Sequence, residues 1–164
     1  MALLAEMSDP HMRAIGVITV RWSSIDGLMY DILRKRILFP AQAENLRHKN
    51  AGKARLDFFR DQLKDISLRP EEKSALDGAV DELLRLWEDR NKIIHGQYGI
   101  IAGEDGGLSL CWSDIRVRRG KELSESWLEP AEVTVDHLDE HAAAVSEAAT
   151  PLRNFLYQRP NEGR

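Results

Sequence analysis

The sequence has a single cysteine, Cys111, among its 164 residues. One thiol excludes a disulfide within the chain and a zinc site built from several cysteines. The N-terminal segment has no basic lead and carries an early acid, Glu6, so it does not match a secretory signal. We therefore expect a protein of the cytoplasm, where thiols stay reduced.

Long apolar runs are absent as well. The most apolar stretches, such as residues 14–20 and 100–102, fall far short of the roughly 20 residues needed to cross a bilayer. We expect no membrane partner. Low-complexity tracts and internal repeats are also missing, and the 43% hydrophobic content suffices for one core. We therefore expect one domain over residues 1–164, with flexible ends at 1–9 and 158–164.

An excess of positive charge is the third absence. The chain carries 23 Lys and Arg against 27 Asp and Glu, which gives a formal net charge of -4. A generic nucleic-acid binder has the opposite balance, so any such contact must be local. Two basic clusters offer it, residues 34–36 with 47–55 and residues 116–121. Arg116 and Arg118 would share one side of a strand and are candidate RNA-backbone contacts, with a solvated hairpin face as the alternative.

Apolar residues recur at spacings of three and four over four long segments, which is typical of amphipathic helices. Pro151 lies within the fourth segment and is expected to kink that helix. Residues 42–50 are polar and predict a loop or a short helical turn. Short β-prone runs with turn residues indicate a small β-meander at about 103–130. We predict a mainly α protein, a four-helix bundle with the meander inserted between its third and fourth helices, the helices spanning about 11–38, 51–66, 70–94 and 136–157.

The end of the third helix carries polar residues on its apolar side. With Arg90 set at zero and about 100° per residue, Leu83 lies at about 20°, Ile94 at about 40° and Trp87 at about 60°. Arg90 and Asn91, the latter at about 100°, lie inside this stripe, and His95, at about 140°, lies on its edge. A half-buried guanidinium needs a partner or a ligand anion, so these positions are candidates for function.

A structural interpretation of the same residues stays open. Arg90 would then pair with an internal carboxylate such as Asp26, which makes Asp26 a supporting residue of the site. His95 would cap the negative end of the helix dipole.

Histidine and arginine at this spacing fit RNA cleavage without a metal. RNA cleavage needs a group that moves a proton at the 2′-hydroxyl or the leaving oxygen; histidine as a residue type suits this role, and His95 is the candidate. The Arg90 guanidinium can stabilise negative charge on a phosphate through paired hydrogen bonds. The helical rise between them is about 7.5 Å, so they can converge on one phosphate but cannot surround it. A second copy of the helix, related by a two-fold axis, would complete the cleft.

The segment Arg90-Asn91-Lys92-Ile93-Ile94-His95-Gly96 resembles the R-x4-6-H motif of the HEPN family. The resemblance implies a helical domain that dimerises through the third and first helices to form a shared ribonuclease site. Arg90 would polarise the phosphate, Asn91 would orient it, and His95 would be the acid or base, giving 2′,3′-cyclic phosphate and 5′-hydroxyl ends.

The same resemblance implies RNA as substrate, no cofactor, and a role as a toxin or phage-defence effector with an antitoxin or regulatory protein as partner. Lys92 and Tyr98 are further candidate RNA contacts beside the motif. The alternative is a catalytically silent HEPN-like dimer, a binding or scaffold protein that holds an anion or nucleotide.

A second motif has a competing interpretation. His137-Leu138-Asp139-Glu140-His141 fits the H-x-x-E-H pattern, in which two histidines one turn apart can hold zinc. Such sites need a further ligand downstream, and only 23 residues follow His141. We interpret these residues as the polar first turns of the fourth helix and expect no metal.

Overall fold

A computed structural model describes residues 9–95, 97–102, 108–113 and 131–158. Within these ranges the chain forms six α-helices, one π-helical turn and three strands. The expectation of a mainly α protein is confirmed. No helix in the described part of the chain combines the length and apolarity needed to cross a membrane.

The first helix, α1, spans Asp9–Asp31 and passes into a π-helical turn at Ile32–Arg36. The Ile37 amide donates to the Ile32 carbonyl at 3.0 Å, and Leu38 then takes a left-handed conformation with φ of 60°. Residues before a proline avoid the helical region, so the chain leaves the helix before Pro40. The sequence predicted a single helix that ends near Leu38. In the structure the helix type changes before that point, and apolar spacing does not reveal such a change.

Helix α2, at Pro40–Arg47, occupies much of the segment for which the sequence predicted a loop or a short turn. Its proline stands in the first turn, where a missing N–H costs little. Helices α3, at Gly52–Lys64, and α4, at Pro70–His95, fall close to the predicted second and third helices. Glu71 and Glu72 follow Pro70 in the first turn of α4, at the positive end of its dipole.

The predicted fourth helix is divided into α5, at Val135–Ala148, and α6, at Thr150–Tyr157. Pro151 stands in the first turn of α6. Because proline lacks an N–H and its ring crowds the carbonyl four residues earlier, it begins a new helix here instead of kinking one.

Three strands lie between α4 and α5 in the chain: β1 at Gln97–Ala102, β2 at Leu108–Ser113 and β3 at Ala131–Glu132. They pair antiparallel in the order β1-β2-β3, with Cys111 opposite Gly99 on one side and Glu132 on the other. Of the predicted insertion at 103–130, residues 103–107 and 114–130 lie outside the described residues. The predicted flexible ends also lie outside them, apart from Asp9 and Gln158.

The chain divides into two compact units, and the division falls within helices α1, α4 and α5. The first unit comprises residues 1–19 and 88–142. In it the His11 Nε2 atom lies 3.1 Å from the Val133 carbonyl oxygen. Among the residues of this unit whose side chains the structure describes, the buried ones are Ala14, Ile18, Ile93, Val133, Leu138, His141 and Ala142.

The second unit comprises residues 20–87 and 143–164. Trp22 and Trp87 meet edge to face there, with ring centres 5.2 Å apart. The largest fully buried side chains of this unit come from α1, the π-helical turn, α2, α3, α4 and α6: Met29, Ile32, Leu33, Leu46, Leu56, Phe59, Leu63, Leu76, Leu83 and Leu152.

Candidate active site

Arg90, Asn91 and His95 lie in the last two turns of α4, within the first unit. Arg90 and Asn91 are half-buried, and His95 is exposed. Ile93, which is 6% exposed, is the buried isoleucine of these turns, while Ile94 is half-buried. The two isoleucines lie at about 300° and about 40°, so Arg90 at zero emerges between them and its stem can follow apolar surface.

One arginine nitrogen joins the three polar side chains. Arg90 Nη1 donates to Asn91 Oδ1 at 3.1 Å and lies 3.2 Å from His95 Nε2. The long guanidinium stem spans the distance along the helix that separates the first residue of the motif from the last. Arg90 therefore contacts both of the other residues that the spacing of the motif selected.

The contact between Arg90 and His95 fixes the direction of one hydrogen bond. A guanidinium can only donate, so the His95 Nε2 atom accepts. Such a hydrogen bond requires the neutral tautomer of the imidazole, with its proton on Nδ1. The lone pair that a general base would use is consequently the one that faces Arg90.

The other predicted RNA contacts have different outcomes. Lys92 donates to Asp89 at 3.3 Å in a partly exposed pair one turn apart on α4. Tyr98 lies on β1, in register with Trp112 of β2. Arg116 and Arg118 lie outside the described residues.

Asp26, the carboxylate considered as a support for Arg90, lies in the second unit and pairs with Arg55 there. Both side chains of this pair are about one third exposed, at 34% for Asp26 and 30% for Arg55. The pair joins α1 to α3, and only the folded chain brings these two residues together.

The two histidines of the H-x-x-E-H match lie in the first two turns of α5. His137 is exposed and His141 is buried, with 7% of its surface accessible. The Thr134 hydroxyl accepts a hydrogen bond from the His137 amide at 3.1 Å, which is the geometry of an N-terminal cap. Among the described residues, no group of three or more His, Cys, Asp or Glu side chains is placed to hold a metal ion.

A cleft in the second unit was not anticipated from the sequence, although the first basic cluster marks its position. Its volume is about 490 Å³. It is lined by residues of α1, the π-helical turn, α2 and α3: Asp26, Gly27, Tyr30, Arg34, Leu46, Arg47 and Arg55.

Tyr30 connects the charges around this cleft. Its hydroxyl donates to Glu44 Oε1 at 2.7 Å and accepts from Arg34 Nη1 at 3.3 Å. The hydrogen bond from Tyr30, helped by the positive charge of Arg47, lowers the pKa of the Glu44 carboxyl below its ordinary value. The guanidinium carbons of Arg34 and Arg47 lie 5.9 Å and 5.4 Å from the centre of the Tyr30 ring.

Comparison with known proteins does not assign the chain to a family. No family model matches it. Neither a curated protein nor a solved structure matches it significantly. The functional argument therefore depends on the residues and their geometry.

Proposed function

We propose that the protein is a metal-independent endoribonuclease of HEPN type, with Arg90, Asn91 and His95 as its catalytic residues. The proposal is supported by the resemblance of residues 90–96 to the family motif. The observation that carries it is the placement of Arg90 Nη1 within hydrogen-bond distance of both Asn91 Oδ1 and His95 Nε2. An arginine, an amide and an imidazole are thereby grouped at the C-terminal end of one helix, where the imidazole is exposed.

In the proposed reaction the scissile phosphate binds the Arg90 guanidinium. The paired N–H donors of the guanidinium match the phosphate oxygens. When Arg90 binds the phosphate, it gives up its hydrogen bond to His95. The lone pair on His95 Nε2 is then free to remove the proton of the 2′-hydroxyl. The 2′-oxygen then forms a bond to phosphorus as the bond from phosphorus to the 5′-oxygen breaks. The departing oxygen takes a proton from the protonated His95 of a second protomer, and the products are a 2′,3′-cyclic phosphate and a 5′-hydroxyl.

A dimer through α4 and α1 follows from this mechanism, because one helix end offers one histidine to a reaction with two proton transfers. In this proposal the protein acts in the cytoplasm as a toxin or phage-defence effector. An antitoxin or another regulatory protein would then restrain it.

The decisive experiment is RNA cleavage by the purified protein in excess EDTA. We expect cleavage to persist in EDTA and to fall at least about 100-fold in His95→Ala and Arg90→Ala, the loss typical of removing an acid-base group or a charge-stabilising donor. Asn91→Ala should lose less. Glu88→Ala is the matched control, since Glu88 is exposed on the same helix and outside the motif. Cleavage that is lost in EDTA, or that survives His95→Ala, would contradict the mechanism.

A catalytically silent binding protein is the second candidate. It is favoured by one observation, that Arg90 Nη1 lies within hydrogen-bond distance of both Asn91 Oδ1 and His95 Nε2, a contact that also stabilises the helix end without any chemistry. In that case His95→Ala would lower the thermal stability of the protein, and no variant or condition would show cleavage. Intact RNA ends after long incubation with the wild type would favour this candidate.

A further inference from the structure

One segment of the chain carries a strong excess of positive charge. Residues 34–55 contain seven Lys or Arg and one acid, Glu44, and so carry a net charge of +6 in a chain whose net charge is -4. Such asymmetry points to a local partner of negative charge. The segment runs through the π-helical turn and α2 into the start of α3.

Three arginines of this neighbourhood line the cleft of the second unit. Arg55 is fixed, since its side chain bonds both Asp26 and the carbonyl oxygen of Lys49. Arg34 and Arg47 are exposed and extend beside the Tyr30 ring. Within the described part of the chain, Arg34 makes no ion pair within 4.0 Å, and its side chain donates to the Tyr30 hydroxyl. Arg47 forms an ion pair with Glu44 at 3.6 Å. Two guanidinium groups are thus available to a ligand.

The backbone geometry of the cleft supports a binding role. Arg34 lies in the π-helical turn, and such turns occur frequently at functional sites. Gly27 leaves its side of the cleft open, because a Cβ atom built there would meet nothing within 4 Å. The volume of about 490 Å³ falls in the range of small-molecule sites.

We propose that this cleft binds a nucleotide unit, as a free ribonucleoside monophosphate or as part of single-stranded RNA. The phosphate lies between Arg34 and Arg47, whose planar donors match its oxygens. The base packs on the exposed part of the Tyr30 ring and on the guanidinium planes. This site is formed by different residues from the proposed cleavage site, and its binding does not depend on cleavage there.

Binding is measured on the full-length protein with two probes. The first is a fluorescent single-stranded RNA of eight 2′-O-methyl nucleotides, which cannot be cleaved because it has no free 2′-hydroxyl. The second is the set of four ribonucleoside 5′-monophosphates, measured by calorimetry. Binding of mononucleotides alone indicates a free nucleotide as the ligand, and binding of the oligomer alone indicates RNA.

Two variants test the cleft in different ways. Arg34→Ala removes one phosphate donor and should weaken binding at least about ten-fold, the effect of losing a charged hydrogen bond. It should also lower the salt dependence of RNA binding by roughly one counterion. Gly27→Leu fills the cleft, keeps every charge and improves the helix propensity of α1, so it should abolish binding without loss of fold.

Matched controls separate the cleft from general effects. Gly16→Leu makes the same change at another open glycine of α1, and Arg85→Ala removes an exposed arginine that pairs with Glu82. Both should bind within two-fold of the wild type. Failure of the wild type to bind either probe at millimolar concentration, or unchanged binding in Gly27→Leu, would overturn the proposal.

The outcome is independent of the ribonuclease proposal. If neither the wild type nor any variant cleaves RNA, but the probes still bind, the ribonuclease proposal is rejected and the cleft proposal stands. Cleavage that depends on His95 with no binding in the cleft would do the reverse.

Discussion

At the scale of single residues, Leu38 is a point of backbone strain. Its φ of 60° is a conformation that costs a side chain with a Cβ atom about 1 kcal/mol or more. The side chain is 73% exposed, so it gains little from packing in return. The strain accompanies the passage from the π-helical turn to α2.

Replacing Leu38 should therefore change stability in opposite directions. Leu38→Gly relieves the strain and should raise the free energy of unfolding by up to about 1 kcal/mol, after the entropy that glycine adds to the unfolded chain. Leu38→Val adds a β-branch and should lower it by about 1 kcal/mol. Urea unfolding measures both, and a glycine variant less stable than the valine variant would contradict the explanation.

Gly52 is constrained by contact rather than by conformation. A Cβ atom at this position would overlap the ring carbons Cη2 and Cζ3 of Trp87. Gly52→Ala should cost about 1–3 kcal/mol, because either the tryptophan or the start of α3 has to shift. Gly78→Ala is the control, since nothing lies within 4 Å of its Cβ position in the middle of α4, and it should gain about 0.5–1 kcal/mol. Equal effects of the two changes in thermal unfolding would refute this account of Gly52.

At the scale of elements, the contact between α1 and α2 depends on pH. The hydrogen bond from Tyr30 lowers the pKa of Glu44 in the folded protein, so it stabilises the fold above the ordinary pKa of glutamate. That contribution is lost as the pH falls through the lowered pKa, when the carboxylate becomes protonated.

Tyr30→Phe should consequently raise the pKa of Glu44 and weaken the fold at pH 7 more than at pH 3. Carboxyl NMR titration measures the first effect, and urea unfolding at both pH values measures the second. The pKa of Glu82, which is lowered by a hydrogen bond from Arg85, should not change. If the pKa of Glu44 does not change in Tyr30→Phe, then the arginines, and not Tyr30, are what lower it.

The elements also show how far the sequence could be used. The bounds of helices α3 and α4 were predicted closely because the buried apolar residues of each helix recur at spacings of three and four along the sequence. Helix α2 buries only Ala43 and Leu46 among its residues, so its apolar signal was too weak. The contacts among Arg90, Asn91 and His95 are local and follow from spacing along α4. The pairing of Asp26 with Arg55 joins residues 29 positions apart, which no periodic pattern encodes.

At the scale of the whole molecule, charge and chemistry occupy different parts of the chain. The histidine and arginine of the proposed reaction lie in residues 88–142, whereas the cationic cleft belongs to residues 20–87. A chain with a net charge of -4 can still bind a polyanion when its positive charge is gathered in one segment. Binding and cleavage should therefore respond separately to mutation.

The proposed composite site makes activity a property of two chains. The fraction of assembled sites follows mass action, so cleavage per chain should fall when the protein is diluted below its dimer dissociation constant, which light scattering measures independently.

With RNA in excess, added His95→Ala chains should also inhibit the wild type, because each mixed dimer has one histidine where the reaction needs two. An equal excess of Glu88→Ala, which keeps the histidine, should not inhibit. Two results together would contradict the composite site: cleavage per chain that stays constant on dilution, and wild-type cleavage that is unaffected by added His95→Ala chains. They would show that one chain performs both proton transfers.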